Sequence, residues 1–184
     1  MLVVCHANVA RSVAAACLLD GSTDERGVAI ELRTAGTHAT DGQPTSARTR
    51  RALEAMHGDA PTLVAHRSRA LTEADLEWAD LVIAMEASQV RFVRRRHPEA
   101  AGRAATIAVL AHGLPADDRV LATRIAVMGL AALEDGGASD VIDPAGGDDA
   151  TYAATVDELA ELCGRLRVRL AGTAASTGSR DLRS

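Results

Sequence analysis

Apolar positions along this chain follow two rhythms. Short unbroken apolar runs alternate with longer stretches in which apolar residues recur every three or four positions. Leu2 to Val4 is a run of the first kind, and Ala10 to Leu19 behind it is rich in helix formers. A second strand-like run, Ala29 to Thr34, ends at Gly36, and Thr45 to His57 reads as a helix stopped at Gly58. Thr72-Glu-Ala-Asp75 has the form of a capping box and opens a helix through Trp78. "DLVIAME" (80–86) suits a parallel strand buried on both faces; a helix to His97 follows, then a last strand, "TIAVLA" (106–111). From Thr151 to about Leu170 the pattern is that of a final amphipathic helix.

Strands alternating with helices predict an α/β fold, a single-domain doubly wound sheet of about four parallel strands flanked by helices. Such sheets bind ligands beyond the carboxyl ends of their strands, where the first strand delivers Cys5. The domain is expected to span residues 1–171. Within it, 113–137 contains "VLATRIAVMGLAAL", apolar nearly all round. That stretch reads as an inserted helix before Asp143-Pro144, buried against its own domain or offered to a second copy of the chain. Residues 172–184, rich in Gly, Ser, Thr and Ala, read as a flexible tail.

Composition narrows the function classes. With 184 residues, 47% of them apolar, the chain can bury roughly 70% of the surface its unfolded form exposes. Its three cysteines form neither a CxxC nor a Cys/His cluster, so no disulfide framework or structural zinc site is expected, no Asp/His cluster of metal-binding spacing suggests another metal, and a reducing cytoplasm fits best. No leader-like segment opens the sequence, and no apolar stretch approaches the ~18 residues of a membrane span. A net charge of −5 with one Trp, one Tyr and one Phe argues against nucleic acid as a partner. All 20 basic residues are Arg, and only Arg94, Arg95 and Arg96 form a run, a solvated helix end near Pro98.

Against that background "VVCHANVARSVAAAC" (3–17) stands out. If Cys5 ends a strand and Ser12 starts a helix, the amides of residues 6 to 12 converge on one point at the positive end of the helix dipole. Thiols in such fields ionise readily, which makes Cys5 a candidate nucleophile. Arg11 supplies a planar fork that matches two oxygens of a tetrahedral dianion. The spacing alone is not distinctive, because Cys163 and Arg169 repeat it inside a helical stretch.

The surrounding residues resemble a known family. "VVCHANVARS" is similar to the phosphate-binding loop, V-C-x-G-N-x-x-R-S-P, of the low-molecular-weight protein tyrosine phosphatases. "TAGTHA" (34–39) resembles their S-A-G-T segment, "HRSRALTEADLEWADLVIAME" (66–86) their H-x-x-R…M-[DE] stretch, and Asp143-Pro144 their general-acid loop. The blocks occur in family order. The resemblance implies a cofactor-free phosphatase that hydrolyses phosphotyrosine-type phosphomonoesters of proteins or small aryl phosphates through a cysteinyl-phosphate. It implies Cys5 as nucleophile, Arg11 as oxyanion clamp and Asp143 as general acid. His6, Ala7, Asn8, Val9, Ala10, Arg11 and Ser12 would surround the phosphate, with Asn8, Ser12, Thr34 and His66 supporting the loop.

The chain also departs from the pattern. Ala7 replaces a Gly, and a positive φ there would cost about 1 to 2 kcal/mol. Val13 replaces a Pro, and Ala10 replaces a second cysteine, from which easier over-oxidation of Cys5 is expected. The aromatic residues that follow the family's Asp-Pro are missing, with Tyr152 the only Tyr. Related alternatives are a thioredoxin-linked arsenate reductase, which needs Cys17 and Cys163 close by, and a phosphoarginine phosphatase, which favours Thr where this chain has Val9. A catalytically weakened phosphate-binding module is the alternative outside enzymes.

Overall fold

The computed structural model describes residues 1–57, 61–133 and 140–173. In chain order the elements are β1 (Leu2–Cys5), α1 (Arg11–Leu19), β2 (Arg33–Gly36), α2 (Ala47–His57), α3 (Pro61–Ala65) and α4 (Glu73–Trp78). They continue with β3 (Val82–Ala84), α5 (Ala87–Arg96), β4 (Ala104–Thr106), α6 (Ile107–Gly113), α7 (Leu121–Val127) and α8 (Asp149–Ala171). Short 3-10 turns at Pro98–Arg103 and Leu130–Ala132 complete the described elements.

All four strands are parallel, in the order β2-β1-β3-β4. β1 is paired on both edges and covered on both faces, which is why Leu2, Val3 and Val4 are all apolar and all fully buried. The strand's twofold alternation divides them. Leu2 and Val4 join Leu76, Val82, Val90 and Val93 on the side of α4 and α5. Val3 and Cys5 join Val13, Ile83, Leu159 and Leu166 on the side of α1 and α8. Cys5 therefore leaves the sheet toward the helix that follows it.

Three sequence expectations are corrected. β2 begins at Arg33, because Ile30 donates to Ser22 O (2.9 Å) and the Asp24 carboxylate accepts from the Arg26 and Val28 amides, folding 22–30 into a loop of its own. The last strand is Ala104–Thr106, and Ile107 onward is helical. Pairing with β3 ends at Thr106, whose hydroxyl accepts from Val109 N (3.3 Å) as a helix cap, and Ile107, Leu110 and Ala111 bury one helical face. The inserted helix is only seven residues long and stops at Gly129 (φ +59°), the left-handed position that turns the chain into Leu130–Ala132.

That insertion is anchored inside its own domain. Arg124 is fully buried, and its guanidinium donates to Glu25 Oε2 (2.8 Å), Pro115 O (3.2 Å), Arg169 O (2.5 Å) and Leu170 O (2.9 Å). It thereby satisfies Leu170 O at the end of α8 and adds a second donor to Arg169 O, which already accepts from Gly172 N. Residues 134–139 of the insertion and the expected tail beyond Thr173 lie outside the described residues. Among the described residues no helix is long and apolar enough to cross a membrane.

Candidate active site

β1 ends at Cys5, and after a five-residue loop α1 starts at Arg11 with no side-chain cap and no acidic residue in its first turn. The loop is shaped by Asn8. It is the only non-glycine residue with positive φ (57°) among the described residues, a conformation Asn tolerates better than most side chains. Ala7 does not adopt positive φ, so the methyl it carries in place of Gly brings no left-handed strain.

Every polar group of Asn8 is committed. Its amide faces Cys5 Sγ at 3.3 Å, its Nδ2 donates to Ser12 Oγ (3.0 Å), its Oδ1 accepts from Arg69 N (3.0 Å), and its carbonyl accepts from His66 Nε2 (2.8 Å). Ser12 Oγ in turn stands 3.0 Å from Cys5 Sγ. Asn8 and Ser12 are wholly buried, so these bonds carry low-dielectric weight.

β2 closes the other side. Thr37 N donates to Cys5 O and His38 N to His6 O, both at 2.9 Å. A Cβ on Gly36 would lie 2.7 Å from His6 O and 3.0 Å from Asn8 N, so only glycine lets the loop lie this close to the strand. Thr34, expected to support the loop, pairs opposite Val3, and its side chain makes no hydrogen bond to the loop. The hydroxyl that reaches the loop is that of Thr37, 3.4 Å from Cys5 O.

Arg11 is 2% exposed. Its Nη1 donates to Glu86 and to Val141 O (2.9 Å), and its Nη2 to Asp143 Oδ2. Asp143 Oδ1 accepts from Ala145 N (3.1 Å). The segment carrying Asp143 is tied to the sheet: Val141 N donates to Met85 O (2.8 Å), and the Asp140 carboxylate accepts from Ala87 N (2.6 Å) at the start of α5. Burial pushes the Glu86 carboxyl up, but hydrogen bonds from Arg11 and Ser88, with the charges of Arg11 and His6, outweigh it and hold it below the ordinary 4.5. Asp143 thus meets Arg11 across 132 residues of sequence, beside the loop that presents Cys5.

The family model described as low molecular weight phosphotyrosine protein phosphatase matches residues 1–120. The chain belongs to that family. The phosphatase is 29% identical over 170 residues to the protein-arginine-phosphatase of Geobacillus stearothermophilus, covering 92% of this chain and 95% of the relative. It is 31% identical over 102 residues to the probable low molecular weight protein-tyrosine-phosphatase EpsP of Ralstonia nicotianae, covering 55% of this chain and 66% of that protein. Among solved structures it superimposes on the low molecular weight protein tyrosine phosphatase from T. tengcongensis with a TM-score of 0.68 at 30% identity, over 90% of this chain and 95% of that one. The YwlE arginine phosphatase from Geobacillus stearothermophilus gives a TM-score of 0.67 at 30% identity, over 90% and 88%.

The phosphatase's remaining thiols are poorly suited to relaying oxidation. Burial and then the charge of Asp20 push Cys17 up, and burial drives Cys163 to about 12 while its thiol points at Ala15 O (3.7 Å). Among the described residues no cluster of His, Cys, Asp or Glu has the arrangement of a metal site. Tyr152, although nine positions after Asp143, lines a small recess together with Arg11 and Pro144. Sequence reasoning missed four residues here: Gly36, Thr37, Glu86 and Asp140. The first three lay inside the "TAGTHA" and "VIAME" blocks; nothing in the sequence marked Asp140.

Proposed function

We propose that this phosphatase hydrolyses phosphotyrosine-type phosphomonoesters through a cysteinyl-phosphate, with Cys5 as nucleophile, Arg11 as clamp and Asp143 as general acid. The observation that carries the reading is the meeting of Arg11 with Asp143 beside a sulfur that faces both Asn8 N and Ser12 Oγ.

Glu86 and Val141 O fix one nitrogen of Arg11, so the guanidinium stays oriented while Nη2 exchanges Asp143 for a phosphoryl oxygen. The Cys5 thiolate then attacks phosphorus in line. The bond to the leaving oxygen breaks as Asp143, protonated, transfers its proton to that oxygen. Water attacks the cysteinyl-phosphate next, losing a proton to the ionised Asp143, and the sulfur departs as thiolate with Ser12 as its hydrogen-bond donor. In both steps the loop amides and Arg11 stabilise charge on the equatorial oxygens.

Val9 supports an aryl rather than a guanidino phosphate, since an aliphatic side chain offers no acceptor for guanidinium N–H groups. The second reading, a phosphoarginine phosphatase, draws on the relative of that name that aligns over 92% of the chain. Hydrolysis of p-nitrophenyl phosphate by the wild type and its loss in Cys5→Ser tests the catalytic assignment. Comparing kcat/KM for phosphotyrosine and phosphoarginine peptides tests the substrate class: a preference for phosphoarginine overturns the first reading in favour of the second.

A further inference from the structure

The mouth of the site continues into a row of rings. The imidazole of His6, the exposed residue next to Cys5, stacks on His38 with centroids 4.7 Å apart. His38 and Phe92 form a T-shaped pair with centroids 5.5 Å apart, and the guanidinium of Arg96 lies over Phe92 at 5.2 Å. Three separate elements supply the row: the loop after β1, the turn after β2, and α5. Its inner end is His6, the residue that follows Cys5 in the loop. Its outer end is an uncommitted cation. Arg96 is exposed and makes no hydrogen bond or ion pair among the described residues, whereas Arg94 on the same helix donates to Leu130 O and Leu133 O.

We propose that His6, His38, Phe92 and Arg96 form the docking strip for the substrate's own chain. The ligand it fits is a phosphorylated protein segment carrying an acidic side chain within about four residues of the phosphorylated one, because three neighbour separations of about 5 Å limit the strip's reach to what about four residues of extended chain span, at about 3.3 Å per residue. The exposed imidazoles and the half-buried phenyl ring offer flat surfaces for the intervening residues. The ring beneath Arg96 restrains its guanidinium and leaves the fork free for a carboxylate. The inference rests on the catalytic reading of Cys5.

The test is a peptide set carrying the phospho-residue that the enzyme hydrolyses, with Glu, Ala or Arg placed two to four residues away on either side. Wild type is expected to prefer Glu over Ala in kcat/KM by about two- to fivefold at one of these positions, the size of an exposed ion pair. Arg96→Glu should invert that preference toward Arg, Phe92→Ala should diminish it, and Arg165→Glu, on the exposed face of α8, should retain it. Equal rates for Glu and Ala at every position, or a Glu preference that survives Arg96→Glu, overturns the strip. Failure of the catalytic reading is seen separately, as failure of the wild type to hydrolyse p-nitrophenyl phosphate, which is too short to reach Arg96.

Discussion

Ser12 Oγ stands 3.0 Å from Cys5 Sγ while accepting the side-chain amide of Asn8, also at 3.0 Å. A hydroxyl that accepts from Asn8 keeps its one proton for the sulfur. Ser12→Ala removes a donor to what becomes a charged group, a loss of about 1.5 to 3 kcal/mol. Turnover of p-nitrophenyl phosphate should fall about 10- to 100-fold, and alkylation of Cys5 by iodoacetamide at neutral pH should slow with it. An unchanged alkylation rate would remove Ser12 from this role.

Gly36→Ala should damage catalysis from the neighbouring strand. Its methyl would press on His6 O and Asn8 N, backbone atoms that cannot rotate away, so the loop must move. A displacement of this kind should lower kcat by about 10²-fold. Circular dichroism would show the fold retained.

Acid stability should depend on two carboxylates. Burial pushes Asp75 up, but Arg69 and the Thr72 hydroxyl and amide outweigh it and hold it below 3.8, as Glu86 is held below 4.5. Groups with depressed folded values stabilise fully above their unfolded values and lose that contribution as pH falls through the folded ones. The urea midpoint should therefore drop between about pH 5 and about pH 3. Asp75→Asn, at the better buried of the two, should start lower at neutral pH and show the shallower slope.

Arg124→Ala should test the anchoring of the insertion. It leaves the 6%-exposed Glu25 with only the exposed Arg26, at 3.7 Å, for a cation and strips Leu170 O of its donor at the end of α8. Breaking a buried pair in this way costs about 3 to 5 kcal/mol. Chemical denaturation should show that loss, while the folded fraction keeps its KM.

Excess peroxide should inactivate the enzyme in a manner that dithiothreitol restores only in part. Cys17 and Cys163 are held as thiols by burial, so neither readily captures an oxidised Cys5 as a disulfide. Inactivation curves of the Cys17→Ala and Cys163→Ala variants should match the wild type. Full recovery in the wild type, lost in either variant, would reveal a resolving cysteine.

The order of strands and helices, the two-faced burial of β3 and the loop from Cys5 to Ser12 were legible in the sequence. Each is local: an apolar run, a helix-forming run and a short turn fix their own conformation within a few residues. The same local logic misread "TIAVLA", because a short apolar run suits a strand or a buried helix equally, and the choice fell to where pairing with β3 ends and where Thr106 caps. Only the tertiary structure placed the left-handed residue at Asn8, moved the hydroxyl that touches the loop from Thr34 to Thr37, and set Glu86 and Asp143 on either side of Arg11. Those outcomes depend on strand register and on contacts across 32 to 132 residues of chain, which no short-range pattern encodes.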